Sequence, residues 1–339
     1  MAKILPQSTN AKELLQGFDS QAIGYKNDAS DLSLFNTLAQ LVPQPKKRGG
    51  DELLKRAENR YISRQLALRL SHLGSFLNGA YLRTYHECNS LLFQEGYKIK
   101  AKYCNGRWCN NCNRIRTAKM INGYGKQLQA FSEPQFVTLT IPNFPEYELN
   151  KGIKTMLWDM QRIGQIARKE RMTINGIRKL ESTYNADQDT YHPHFHFIID
   201  GQHNSDWLVA KWMERNPTAV WEAQNVRDVD NNGMMELFKY TTKIVSTSKR
   251  DGTAIYVKAL DNIFQALYRT RTFQKMGNLK RVSEDIDELT ANEYDIPFYE
   301  SMAWAGHEYD WYGMTNGEAL TGYEPSDETM NFVKNKMII

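Results

Sequence analysis

Cysteine is scarce in this chain of 339 residues: there are four, and three of them crowd between positions 104 and 112. A scaffold stabilised mainly by disulfides needs more thiols, more evenly spread, so that class is excluded. No run of 18 or more apolar residues occurs, and Met1-Ala2-Lys3-Ile4-Leu5-Pro6-Gln7 lacks the regions of an export signal. The sequence therefore predicts a cytoplasmic protein with no membrane contact. There is no Gly-x-x-x-x-Gly-Lys-[Ser/Thr] loop, which excludes a P-loop motor. Internal repeats and low-complexity tracts are missing as well. What is present is ordinary globular material, 41% hydrophobic and 24% charged, enough for a core in one or two domains.

The net charge of +4 averages two opposite regions. Residues 46–119 hold 16 Lys and Arg against 5 Asp and Glu, whereas residues 283–339 hold 2 against 13. A basic block of that density suits a polyanion such as nucleic acid, and it equally suits a solvated face. The acidic end predicts a solubilising or partner-binding extension. These shifts divide the chain into a polar arm and linker (1–50), a basic segment (51–130), a central domain (131–282) and the acidic extension (283–339).

Within the basic segment, residues 51–80 have helical spacing, with Arg56, Arg60 and Arg64 on one face. Stacked like charges weaken an isolated helix, and a phosphate backbone alongside would reverse the sign. Residues 97–103 alternate, Lys98, Lys100 and Lys102 against Tyr97, Ile99, Ala101 and Tyr103, which predicts a strand. A basic helix carrying Arg114 and Arg116 follows from Asn113 to about Ala130. These eight Lys and Arg are the candidate DNA contacts.

The central stretch predicts strands over 136–141, 174–184, 191–199 and 219–228, with helices over 151–170, 205–215 (Ser205 as its N-cap) and 234–245. The order β-α-β-β-α-β predicts an α+β fold of the ferredoxin-like, split βαβ kind, an antiparallel sheet with helices on one face.

Three of the seven histidines alternate in Tyr191-His192-Pro193-His194-Phe195-His196-Phe197. On a strand they share one face while Phe195 and Phe197 turn to the core, and neighbouring imidazoles can hold one divalent ion. Such an ion favours a carboxylate as third ligand, and Glu181 on the preceding strand is the candidate. Cys88, Cys104, Cys109 and Cys112 suit a tetrahedral structural Zn²⁺, with His86 as an alternative ligand; four buried, unliganded thiols are the other reading. On the helix after Gly233, Glu236, Tyr240 and Lys243 fall on one face, as a general base, a nucleophile and a phosphate-binding cation respectively would, or as the rim of a plain amphipathic helix.

Thr138-Leu139-Thr140, His194-Phe195-His196 and Tyr240-x-x-Lys243, in that order, resemble the three motifs of the HUH endonuclease superfamily. Their flanking residues are most similar to single-tyrosine rolling-circle plasmid replication initiators, over about residues 97–282. The resemblance implies an HUH nuclease core and nicking and closing of single-stranded DNA. It implies Mg²⁺ or Mn²⁺ on His194, His196 and Glu181, with His192 just outside, and Tyr240 as nucleophile. A 5′-phosphotyrosyl link would form and a 3′-OH primer be released. Origin DNA, double-stranded with an extruded single-stranded nick site, is the implied partner; a host helicase, a polymerase and a second copy of the chain complete the expected set. One departure stands out: repeatedly nicking relatives carry a second Tyr where this chain has Glu236, and a carboxylate there suits activation of water at termination. A single-tyrosine transposase and a non-catalytic zinc-containing repressor remain as alternatives; the order of tyrosine after histidines argues against a relaxase.

Overall fold

The computed structural model describes residues 50–95, 98–229, 236–238, 244–284, 286 and 301–339. The expected arm over 1–49 lies outside these residues. The fold begins with helices α1 (Gly50–Ser71) and α2 (Asn78–His86), strands β1 (Leu91–Glu95) and β2 (Lys98–Ala101), and helix α3 (Asn110–Leu128). The single helix expected over 51–80 is therefore two. Residues 72–77 interrupt it, with Gly74 at φ +69°, a conformation that other residues adopt at a cost.

The central domain follows as β3 (Pro134–Thr140), α4 (Glu146–Lys169), β4 (Gly176–Asn185), β5 (Thr190–Asp200), α5 (Gln202–Arg215) and β6 (Asn225–Asp228). Hydrogen bonding orders the strands β6-β3-β5-β4, with β9 (Phe273–Met276) added beyond β4, and every pair is antiparallel. Each crossover helix thus joins strands separated by one other strand, the split βαβ arrangement expected from the sequence. Ser205 does not cap α5: the helix starts at Gln202 after Gly201, and the buried Ser205 hydroxyl donates to the Gly201 carbonyl.

Helices cover both faces of this sheet, not one. Phe195, Leu139 and Leu180 pack in the same core as Ile153, Met156 and Ile163 of α4 and Trp212 of α5. On the other face Phe136, Ile177 and Ile198 meet Met120, Ile121, Tyr124 and Leu128 of α3, together with Leu237 and Phe238. The expected basic helix is thus apolar toward the sheet, with Arg116 buried, Arg114 and Lys119 half-buried and Lys126 exposed.

The acidic region is built into the fold. Strands β10 (Met302–Ala305) and β11 (Asp310–Gly313) extend the β1–β2 hairpin in the order β11-β10-β1-β2. Helix α7 (Asp327–Asn335) and β12 (Met337–Ile338) end alongside β8 (Gly252–Tyr256), which pairs with β7 (Ser246–Ser248) and leads into α6 (Val257–Ala266). Asp310 is buried and accepts from Thr321 and Gly322, so part of the negative charge is structural. Within the expected solubilising or partner-binding extension, residues 301–339 pack against α1. Tyr309 packs edge-on against Tyr61, Trp304 lies by Arg60, and the Val333 carbonyl accepts from Arg69. The basic segment and the central domain likewise share one core: Trp108 contacts Phe264, and Tyr81 donates to Asp261.

Glu58 lies buried on α1, facing the segment around Tyr323. Burial pushes its carboxyl from 4.5 up to about 7, partly opposed by Lys55. The folded state therefore holds this proton more tightly than the unfolded chain. That contribution is fully present below pH 4.5 and is lost as pH rises toward 7. Glu58→Gln, which cannot ionise, should leave stability nearly unchanged at pH 4 and raise it by about 1–3 kcal/mol at pH 8. Urea unfolding at the two pH values checks this; an equal change at both would contradict it.

Candidate metal centre and active site

Strand register assembles the site. In the β4–β5 ladder Glu181 stands opposite His194 and Lys179 opposite His196; in the β3–β5 ladder Thr138 stands opposite His196 and Thr140 opposite His194. Because side chains alternate along a strand, these residues share the sheet face that carries Phe136 and Ile198. The ring Nε2 atoms of His194 and His196 each lie 3.4 Å from Glu181 Oε2. The three donor groups lie within 4.8 Å of one another.

The other ring nitrogens are engaged. His194 Nδ1 lies 3.0 Å from the His192 carbonyl, and His196 Nδ1 lies 3.1 Å from Thr138 Oγ1. A carbonyl only accepts, so His194 Nδ1 donates to it, and Nε2 is the ring atom turned toward Glu181. Two imidazoles and a carboxylate converging in this way suit a hard divalent cation with open positions for oxygen ligands.

Lys179, fully buried, pairs with the other oxygen of Glu181 and donates to the Glu236 carbonyl at 3.0 Å. Burial alone would raise the Glu181 carboxyl; Lys179 and the two imidazoles outweigh it and hold it well below the usual carboxylate range. Burial lowers His196. His192 stands outside the three-ligand group, stacked on His194 with its Nδ1 2.8 Å from Asn143 Oδ1, and burial with the neighbouring imidazoles lowers it to about 4.

Glu236 reaches the same site from the segment packed over this face. Its Oε1 lies 3.6 Å from His196 Nε2 and its Oε2 3.6 Å from Arg227 Nη2, while the side chain stays half exposed. Of the helix expected over 234–245, residues 236–238 are described and are helical, with Leu237 and Phe238 buried. Tyr240 and Lys243 lie outside the described residues. Sequence reasoning missed Lys179 and Arg227. Lys179 was accessible by the same logic as Glu181, two residues away on the same strand face; Arg227 depends on β6 joining the sheet edge beside β3.

The four cysteines come together as a second group, where the turn after α2 meets the start of α3. Their sulfurs are 3.6–3.7 Å apart for the pairs Cys88–Cys109, Cys88–Cys112 and Cys104–Cys112, and none is in a disulfide. Sulfur atoms around a tetrahedral zinc with ~2.3 Å bonds are about 3.8 Å apart, so the cluster fits that ion closely. Cys109 caps α3, where the helix dipole favours thiolates, and the Gly106 amide donates to Cys104 Sγ at 3.3 Å. A Cβ at Gly106 would fall 2.6 Å from the Trp108 ring, so glycine is needed there. His86 is exposed and is not in the group.

The expected DNA contacts are redistributed. Arg56 is buried and donates to Asn89 Oδ1 at 2.7 Å; Arg60 is buried and donates to the Thr84 and Tyr85 carbonyls; Arg64 lies over the Tyr85 ring. Arg116 is buried among Asn113, Asn105 and Glu284. These four guanidiniums brace the protein itself, because carbonyl oxygens of α2 and the surrounding loops converge on them. Arg114 and Lys100 are half-buried, Lys102 is exposed and pairs with Glu87, and the Lys98 side chain lies outside the described residues.

Comparison with known proteins finds replication proteins. A family model described as a replication protein matches residues 97–204, which include Cys104, Cys109, Cys112 and the His strand. The chain is 31% identical to a protein rep of Staphylococcus aureus over 186 residues, 46% of this chain and 80% of that one. It is 30% identical to a protein rep of Bacillus amyloliquefaciens over 234 residues, 58% of this chain and 68% of that one. A protein rep of Streptococcus pneumoniae serotype 2 matches at 21% identity over 70% of this chain and 77% of its own length. No solved structure matches the chain, and no helix among the described residues is long and apolar enough to cross a membrane. On the two relatives that reach 30% identity over more than two thirds of their length, the chain belongs to the Rep family of replication proteins.

Proposed function

We propose that this Rep protein initiates plasmid rolling-circle replication by nicking one strand of its origin through a tyrosine. The observation that carries the proposal is the convergence of Glu181, His194 and His196, with Glu236 at 3.6 Å from His196. Glu181, His194 and His196 would hold Mg²⁺ or Mn²⁺, which when bound supplies charge neutralisation at the scissile phosphate. Tyr240 Oη loses its proton to solvent and attacks phosphorus; the new bond is a 5′-phosphotyrosyl ester, and the P–O3′ bond breaks, its oxygen taking a proton from solvent to give the 3′-OH primer for a host polymerase. Lys243 offsets charge on the phosphate. Lys179 keeps Glu181 ionised. Arg227 orients Glu236, which takes a proton from water for the hydrolysis that ends a round. Strand separation falls to a host helicase, since the chain has no phosphate loop.

The test incubates the protein with Mn²⁺ and single-stranded DNA from each strand of its replicon. A covalent adduct on a denaturing gel is expected, absent with Tyr240→Phe and retained with Glu236→Ala, which should instead slow release of the adduct. Tight DNA binding with no adduct on either strand would overturn the nuclease and favour a repressor.

The thiolate cluster is proposed to hold structural Zn²⁺ and to fix the start of α3 against α1. A Cys109→Ser, Cys112→Ser variant should lose about one zinc per chain by elemental analysis and melt at lower temperature; unchanged zinc content would contradict the assignment.

A further inference from the structure

We propose that the outer face of α4 is a binding track for single-stranded DNA, separate from the nicking centre. This rests on the reading of the chain as a DNA-processing protein but involves none of the residues that would cut. The helix buries Leu149, Ile153, Met156, Met160 and Ile163 against the sheet. Directly opposite, at successive spacings of 4, 3, 4 and 4 residues, it presents Tyr147, Lys151, Lys154, Trp158 and Arg162, all exposed. At 1.5 Å per residue this stripe spans about 22 Å. It forms one line because those spacings alternate around the helical period.

Three features distinguish it from an ordinary wet face. No carboxylate lies on the arc: the acidic residues of α4 (Glu146, Glu148 and Asp159) fall on its flanks, with Asp159 buried and paired to Arg215. Solvated helix faces ordinarily mix both signs. Two large aromatics stand in solvent, Tyr147 at 83% and Trp158 at 50% exposure. Finally, the guanidiniums are ordered in advance: those of Arg162 and Arg215 each lie 4.8 Å from the Trp158 ring centre, and Arg162 donates to Gln165 at 2.8 Å. A shallow cleft of about 620 Å³ runs from Tyr147 to Trp158 over Asn150, Lys151, Lys154 and Thr155.

Cations in a line with an exposed ring suit a flexible polyanion that also offers flat faces, which is single-stranded DNA: Lys151, Lys154 and Arg162 meet phosphates while an unpaired base stacks on Tyr147. A duplex has its bases already stacked and would leave Tyr147 without a role. The track lies behind the sheet. Phe195 and Phe197 point toward α4, and His194 and His196 point away from it, so a strand on this face is not the strand at the nicking centre. It suits the strand displaced after nicking.

The test uses the full-length protein without added metal, a 30-residue oligothymidine and a matched duplex. Replacing Lys151, Lys154 and Arg162 by Ala should weaken oligothymidine binding at least tenfold at low salt. It should also reduce the slope of log affinity against log salt by about 2, at about 0.7 per phosphate contact. Tyr147→Ala should weaken binding several-fold with the slope unchanged. Thermal melts confirm that the surface variants fold. Unchanged affinity and slope would overturn the proposal, as would a loss confined to the duplex. Adduct formation on a short nick-site oligonucleotide should survive in the triple variant. An adduct absent from wild type, with the track effect intact, would defeat the nuclease reading and leave the track standing.

Discussion

The register of the β4–β5 hairpin is the constraint on which the site depends. Glu181 opposite His194 and Lys179 opposite His196 exist as pairs only because the two strands meet at one offset. A slip of a single residue would turn both histidines toward the core and drive Phe195 and Phe197 to the other face. The register is therefore enforced by packing unrelated to chemistry: Phe195 and Phe197 are wholly buried, with Phe195 edge-on to Trp212. The apolar half of β5 holds the polar half in place.

A second constraint is that the face bearing the histidines is not left open. Helix α3 and the segment at 236–238 pack on it beside Phe136, Ile177 and Ile198, which leaves the histidines nearly buried with Glu236 at the mouth. Burial raises the cost of each charge there, and each has a partner: Glu181 pairs with Lys179, and Glu236 with Arg227. The same helix α3 begins at the cysteine cluster, so whatever fixes the four sulfurs also fixes one wall of the site. The acidic C-terminal residues complete this arrangement by covering α1, a structural role quite different from that of a charged tail.

Much of this was legible in the sequence, and the exceptions have physical causes. The β-α-β-β-α-β order, the His row and the partnership with Glu181 all follow from period-two and period-3.6 patterns, which are local. The four cysteines were legible as a group because few residue types other than metal ligands cluster so closely. The row Arg56, Arg60 and Arg64 misled, because its spacing is identical for a solvated face and for a face covered by distant chain. Asn89, Tyr103, Thr84 and Tyr85 meet these guanidiniums, with Trp304 over Arg60 from far along the chain, and no local pattern announces them. For the same reason the charge count at 283–339 could not show that Asp310 is a buried acceptor. The α4 stripe begins at Tyr147, outside the helix expected over 151–170, and the exposure of its rings is set by the fold.

The central claim is that Glu181, His194 and His196 form one cation site. Titration of the full-length protein with Mn²⁺, following free ion by electron paramagnetic resonance, tests it most directly, because soft thiolates compete poorly for Mn²⁺. The account predicts one bound ion per chain in the wild type, and affinity reduced at least tenfold by Glu181→Ala and by His196→Ala. Wild-type protein that binds no Mn²⁺, or a Glu181→Ala variant that binds it equally well, would contradict the account.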